Sequence, residues 1–205
     1  PGYGNGRAER LLAQTIRYAG RDALVVSTKF GYDFYGDPGD SGHRERRQDF
    51  SAAFIRYDLE QSLRRLDIDC VDLYQAHNVK LPQFTDELFE TLDRLREEGK
   101  IRYAGVALGP AIGWREEGLT ALRDREVTTV QTVMNVYEQD PGREIGELAE
   151  SLGRGGIIAR VPTNSGILDE EFESADHVFP AHDHRKFRDR DWLVYGLAKN
   201  EVTRP

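Results

Sequence analysis

Apolar positions recur along this chain in two alternating rhythms. Residues 7–18 set Ala8, Leu11, Leu12, Thr15 and Ile16 at the spacing of one helix face. Gly20 stops that helix, and a strand is predicted over 23–28, inside the run Ala23-Leu24-Val25-Val26-Ser27-Thr28-Lys29. A helix over about 51–66 turns Phe54, Ile55, Leu59, Leu63 and Leu66 inward, and a strand over 70–76 follows directly. The rhythm continues with helices over 86–98, 116–123 and 143–152, and with strands over 101–107, 127–133 and 156–161. Five strands thus alternate with helices. Several read as apolar throughout, as strands covered on both faces do. Short connections between such alternating elements predict an α/β fold with a parallel sheet. The rhythm fails over residues 30–49, a loop rich in Gly, Asp, Tyr and Arg. A loop of that length at a strand end is usually functional or disordered.

Composition narrows the classes. A chain of 205 residues suits one domain with a sizeable core, here residues 1–205. A formal charge of -8 argues against nucleic acid or an acidic membrane as partner, since both select basic surfaces. Cys70 is the only cysteine, which excludes a disulfide framework and suits a reducing, cytoplasmic setting. No apolar run approaches the ~20 residues of a spanning helix, and no leader peptide is visible. The first residue is Pro1, not methionine, so the natural amino terminus is left open.

Two strands end on ionisable residues. The run Val71-Asp72-Leu73-Tyr74-Gln75-Ala76-His77 delivers an imidazole, and the earlier run delivers Lys29. In a barrel of parallel strands the carboxyl ends are where chemistry is placed. Tyr3, in Gly2-Tyr3-Gly4-Asn5-Gly6, is the third candidate. Each of these alone is more often structural. Their joint order carries the weight.

That order resembles the aldo-keto reductases. Residues 2–9 (GYGNGRAE) are similar to the tyrosine-bearing segment of the family, and Ser27-Thr28-Lys29-Phe30-Gly31 to its lysine strand. Ser62-Leu63-Arg64-Arg65-Leu66, running on through Asp72 to His77, resembles its histidine strand and the helix before it. Residues 99–106 (GKIRYAGV) resemble the next helix-strand junction, and the likeness runs in order from residue 1 to about 168. The resemblance implies a (β/α)8 barrel of the TIM type that binds an extended nicotinamide cofactor. It also implies hydride transfer between that cofactor, NADP with NAD not excluded, and a small-molecule carbonyl or alcohol. By motif, Tyr3 is the proton donor, Lys29 its activator and His77 the group that orients the carbonyl. Gln131 holds the nicotinamide carboxamide, Arg160, Val161 and Pro162 pack at the ring, and Gly166 belongs to the cofactor loop. A phenol is a poor acid, with a reference pKa ~10, and a nearby ammonium eases its proton release.

Departures from the family pattern are specific. The family aspartate falls upstream of Pro1, and the first two strands and the last strand of the barrel are absent, so the chain reads as a fragment. Ala107-Leu108 stand where the family often has Ser-Asn, and Arg160 replaces the aromatic residue that stacks on the nicotinamide. A guanidinium can stack on a ring, but it repels a cationic one. The oligomeric state and the substrate are left open. Two other readings compete: a non-catalytic nucleotide sensor on the same barrel, and a lyase or isomerase using Lys29 covalently. His177, His182, His184 and Asp183 read as a solvated loop among arginines rather than a metal site. Tyr32, Phe34 and Tyr35 are pocket or packing candidates, Trp114 lies near the mouth, and residues 153–156 are a turn.

Overall fold

Parallel pairing of neighbouring strands requires a crossover, and the helices of this chain supply one for each pair. The computed structural model describes residues 1–36, 46–109, 113–169, 172–181, 183–187 and 190–203. Strands β1 (Ser27–Phe30), β2 (Val71–His77), β3 (Ile101–Ala107), β4 (Thr129–Val133) and β5 (Gly156–Arg160) form one parallel sheet in chain order. Helix α1 (Arg7–Ala19) precedes it, while α2 (Ala52–Leu66), α3 (Asp86–Glu97), α4 (Arg115–Arg123) and α5 (Gly142–Leu152) fill the four crossovers. Helix α6 (Asp191–Thr203) is the last element among the described residues. The repeated βα unit and the parallel sheet are those the sequence predicts.

Local chemistry sets the helix starts. Ser51 Oγ accepts from Phe54 N at 3.3 Å, and Thr85 Oγ1 accepts from Leu88 N at 3.3 Å. Each satisfies a backbone donor that an uncapped first turn leaves orphaned.

Register sorts the side chains. Lys29 aligns with Gln75, His77 with Ala107, Ala107 with Gln131, and Val133 with Arg160. Aligned residues share a face and alternate along each strand, so Lys29, Gln75, His77, Gln131 and Arg160 face the same way. The opposite face carries Phe30, Tyr74, Ala76, Val106 and Val130. These pack with Ile55, Leu59, Leu92, Leu122 and Ile145 into the main core. The two faces therefore differ in polarity more than uniformly apolar strands would. Polar residues collect on one face, and the helices cover the other.

Several details differ from the sequence expectations. The first strand starts at Ser27, and Arg21–Ala23 form a 3-10 turn, with Val25 86% exposed. The cause is Asp72, whose Oδ2 accepts from Val26 N at 2.7 Å and takes that donor out of the ladder. Helix α1 buries Glu9, Ala13 and Ile16 rather than Ala8 and Leu11. Glu9 rotates the helix by binding Thr28 and Arg65 beneath it. Helix α6 has no counterpart in the periodicity, because Leu193 is buried while Val194, Tyr195 and Val202 are exposed around it. It joins Ile167, Phe172 and Phe179 in a second, smaller cluster. Among the described residues no helix is long and apolar enough to cross a membrane.

Candidate active site

Two strand ends and one turn converge. Lys29 is on β1 and His77 ends β2, while Tyr3 sits in the turn just before α1. Lys29 Nζ lies 5.5 Å from the centroid of the Tyr3 ring, and the Tyr3 and His77 rings are 5.8 Å apart. Tyr32 closes the group, edge-on to His77 at 4.9 Å. Tyr3 itself remains 56% exposed.

The turn is placed by a polar network on the helix side of β1. Thr28 Oγ1 donates to Glu9 Oε1 at 2.6 Å, and Arg65 Nε donates to Glu9 Oε2 at 2.5 Å. Thr28 is the chain neighbour of Lys29, and Glu9 lies in the first turn of the helix that follows Tyr3, so this bond links the turn to the strand. Arg46 reinforces it, donating to Gly2 O at 3.3 Å and to Asn5 Oδ1 at 2.8 Å. Gly6 (φ 81) admits no side chain there, since a Cβ would stand 2.6 Å from Arg65 Cδ. Farther in, Tyr35 donates to Asp58 Oδ1 at 2.8 Å and accepts from Arg65 at 3.0 Å. Asp58 is wholly buried and its Oδ2 has no hydrogen-bond partner among the described residues. Burial pushes its carboxyl up to about 6.

Charge at the mouth follows from burial. His77 is pushed down to about 3 by burial, with the Lys29 and Arg160 cations adding to it. The imidazole is therefore neutral at ordinary pH, able to donate through one nitrogen and accept through the other. Lys29 is lowered by burial first and by Arg160 second. Neither Lys29 nor Arg160 forms an ion pair among the described residues.

The remaining candidates ring the trio without touching it. Gln131 lies level with His77 across Ala107, two strand spacings or ~10 Å away. Its side-chain amide has no hydrogen-bond partner among the described residues. Arg160 reaches over the end of β4, and its Nη1 donates to Leu108 O at 2.9 Å. Val161 holds a left-handed φ of 57, a strain of about 1–3 kcal/mol for a β-branched residue. Asn135 Nδ2 supports it by donating to Val161 O at 3.2 Å. Pro162 is exposed, and Gly166 is buried in the turn Asn164–Gly166. No hydrogen bond, ion pair or ring contact joins Gln131, Val161, Pro162 or Gly166 to Tyr3, Lys29 or His77 among the described residues.

Other candidates resolve into packing. Phe34 is buried, and Tyr35 belongs to the Asp58 network. Trp114 lies against Gly109 just past β3, with Lys80 Nζ 3.1 Å from the ring centroid. His177 is not a solvated loop residue, since its ring sits 4.9 Å from both Phe172 and Phe179. Asp183 pairs with Arg185 at 2.7 Å. His182 lies outside the described residues, as does the stretch 37–45 of the long loop. No group of three His, Cys, Asp or Glu residues converges among those described.

Two supporting residues carry no local sequence signal. Gln48 Nε2 donates to the carbonyls of His77 and Asn78, at 3.0 and 3.2 Å. Asn78 Nδ2 donates to Tyr32 Oη at 2.9 Å and so fixes the ring against His77. Asp58, by contrast, announces itself by occupying the inward stripe of α2 between Ile55 and Ser62.

A family model for the aldo/keto reductase family matches residues 1–204. "Probable aldo-keto reductase 1" of Glycine max is 27% identical over 219 residues, covering 99% of this chain and 58% of that protein. An NADH-specific methylglyoxal reductase of Escherichia coli (strain K12) is 30% identical over 179 residues, covering 82% of this chain and 52% of the relative. The glycerol dehydrogenase of Gluconobacter oxydans superposes with a TM-score of 0.76 at 25% identity, covering 96% of this chain and 58% of that one. The chain thus spans little more than half the length of these relatives.

Proposed function

The chain belongs to the aldo/keto reductase family, and on that premise we infer that the protein reduces a small aldehyde or ketone at the expense of NADPH or NADH. The convergence of Tyr3, Lys29 and His77 at one sheet end carries this reading. In it, Tyr3 gives its proton to the carbonyl oxygen as negative charge grows there. Lys29 favours the phenolate left behind. Neutral His77 donates to the same oxygen and fixes the angle of the carbonyl.

The nicotinamide cofactor supplies hydride when bound, and the protein supplies position and field. Gln131 supports this fit, since its uncommitted amide stands level with His77 and suits a carboxamide. The side chains of Ala107 and Leu108 add no donor to it. Arg160, Val161, Pro162 and Gly166 would complete the cofactor side. The choice between NADP, expected by resemblance, and NAD rests on residues that the trio does not involve. A cytoplasmic setting accords with the lone Cys70.

The decisive experiment mixes the full-length protein with each reduced cofactor and a panel of aldehydes, following absorbance at the nicotinamide band. Turnover that Tyr3→Phe abolishes supports the assignment. No turnover across the panel, with tight cofactor binding, favours the second reading of a nucleotide sensor, which Ala107-Leu108 in place of the family's Ser-Asn pair would suit.

A further inference from the structure

The turn after β5 is built from backbone that side chains avoid. Val161, Asn164 and Ser165 hold left-handed φ values of 57, 49 and 59, and Gly166 follows at 102. Such a run persists only where its surroundings over-determine it. Beyond the Asn135 bond to Val161, two contacts from the second cluster do so. Ile167 is wholly buried against α6, where a Cβ on Gly196 would stand 2.1 Å from Ile167 Cδ1. Arg185 reaches back along the chain and donates from Nη1 to Ser165 O at 3.0 Å. The Arg185 side chain is itself held in place. Its Nε and Nη2 grip the Asp183 carboxylate in the two-pronged geometry peculiar to a guanidinium, with Nη2 at 2.7 Å. The guanidinium carbon lies 5.2 Å from the ring centroids of both Phe172 and Phe179, each of them buried. Asp183 alone would satisfy the charge. The arm to the turn is additional, and it lands on serine, which tolerates the left-handed conformation less well than asparagine.

We propose that Arg185 is a positioning residue that sets the turn over residues 161–166 in the form that receives the nicotinamide cofactor. The turn leaves β5 at its carboxyl end, the edge of the sheet at which β1 and β2 deliver Lys29 and His77. The inference rests on the reductase reading, which puts Val161, Pro162 and Gly166 on the cofactor side. The link from Asp183 through Arg185 to Ser165 carries the rest. Arg185 touches no reacting atom. It acts through the backbone of Ser165, so its removal is felt in cofactor affinity and not in the chemical step.

The test measures Kd of the full-length protein for NADPH and for NADH by nicotinamide fluorescence, with no carbonyl substrate present. A hydrogen bond from a charged donor is worth about tenfold in an equilibrium constant. Arg185→Met is therefore expected to weaken the tighter cofactor about tenfold, with kcat at saturating cofactor and KM for the aldehyde within about twofold of wild type. Arg185→Lys keeps a cation between the two rings but cannot hold Asp183 and Ser165 together, and should fall between. In the cofactor-free protein, hydrogen exchange at the amides of residues 164–168 should quicken in Arg185→Met while β2 and β3 keep their wild-type rates. A folded Arg185→Met with wild-type cofactor affinity overturns the proposal, even where its urea midpoint is lower, and so does unchanged exchange in the turn. If that variant does not fold, Arg185→Lys decides. Wild-type affinity there sinks the proposal, and weaker binding at unchanged kcat supports it. A wild type that binds neither cofactor removes the reductase reading and the positioning role together, whereas cofactor binding indifferent to Arg185 removes the positioning role alone.

Discussion

Lys29 and Tyr3 belong to different elements, yet the lysine ammonium stands 5.5 Å from the centre of the phenol ring. The bond from Thr28 to Glu9 is what holds strand and turn at that separation. Removing the hydroxyl while keeping the ring should therefore isolate its chemistry from its packing. Tyr3→Phe is expected to lower kcat by about 10²–10⁴-fold, the range typical of a lost general acid. Single-turnover kinetics with saturating cofactor will read it, and a wild-type rate in the variant removes Tyr3 from the proposed mechanism.

His77 should remain neutral wherever the protein is folded at ordinary pH. Its folded pKa of about 3 lies below the unfolded value of 6.5, so the unfolded chain binds the extra proton between the two. Stability from this group is present above pH 6.5 and is lost as pH falls toward 3. Nitrogen NMR of the ring should show no titration from pH 5 to 8, and His77→Gln should flatten the acid limb of the stability profile.

Asp58 has the opposite sign. Its folded pKa of about 6 exceeds the ordinary 3.8, so here the folded state binds the extra proton. Stability falls as pH rises from about 4 to 6, by an amount on the order of 2–3 kcal/mol. Asp58→Asn keeps an acceptor for Tyr35 Oη and removes the charge. Urea midpoints should show the variant gaining on the wild type as pH rises through that window, and a constant difference from pH 4 to 8 would discount the buried charge.

Asp72 pins the opposite end of β2. Its carboxylate takes the Val26 N–H at 2.7 Å and ion pairs from Arg21 and Arg102, each at 2.8 Å. Asp72→Ala leaves a buried backbone donor and part of two cations unmatched. The expected loss is about 2–4 kcal/mol, read as a lower denaturant midpoint at unchanged slope.

The sequence carried the sheet well and the site in part. Apolar spacing marked all five strands and the four crossover helices, because each must bury one stripe or face to exist. It misjudged the buried face of α1, since the pairing of Glu9 with Arg65 and Thr28 is a contact between distant segments that no local pattern contains. Helix α6 was invisible because its apolar residues point all round. Tyr3, Lys29 and His77 were legible as motif and strand-end residues. Gln48 and Asn78, which brace His77 and Tyr32, were not, since a polar residue in a loop gives no sign of which carbonyl it will meet.

Strand order that follows chain order has a kinetic corollary. Every ladder among the described residues joins strands that are consecutive in the chain, with one described α-helix between them, so each pairing uses the next strand along. Loop closure stays inexpensive at each addition, which favours rapid assembly. A nascent chain can lay down one βα module after another as it leaves the ribosome.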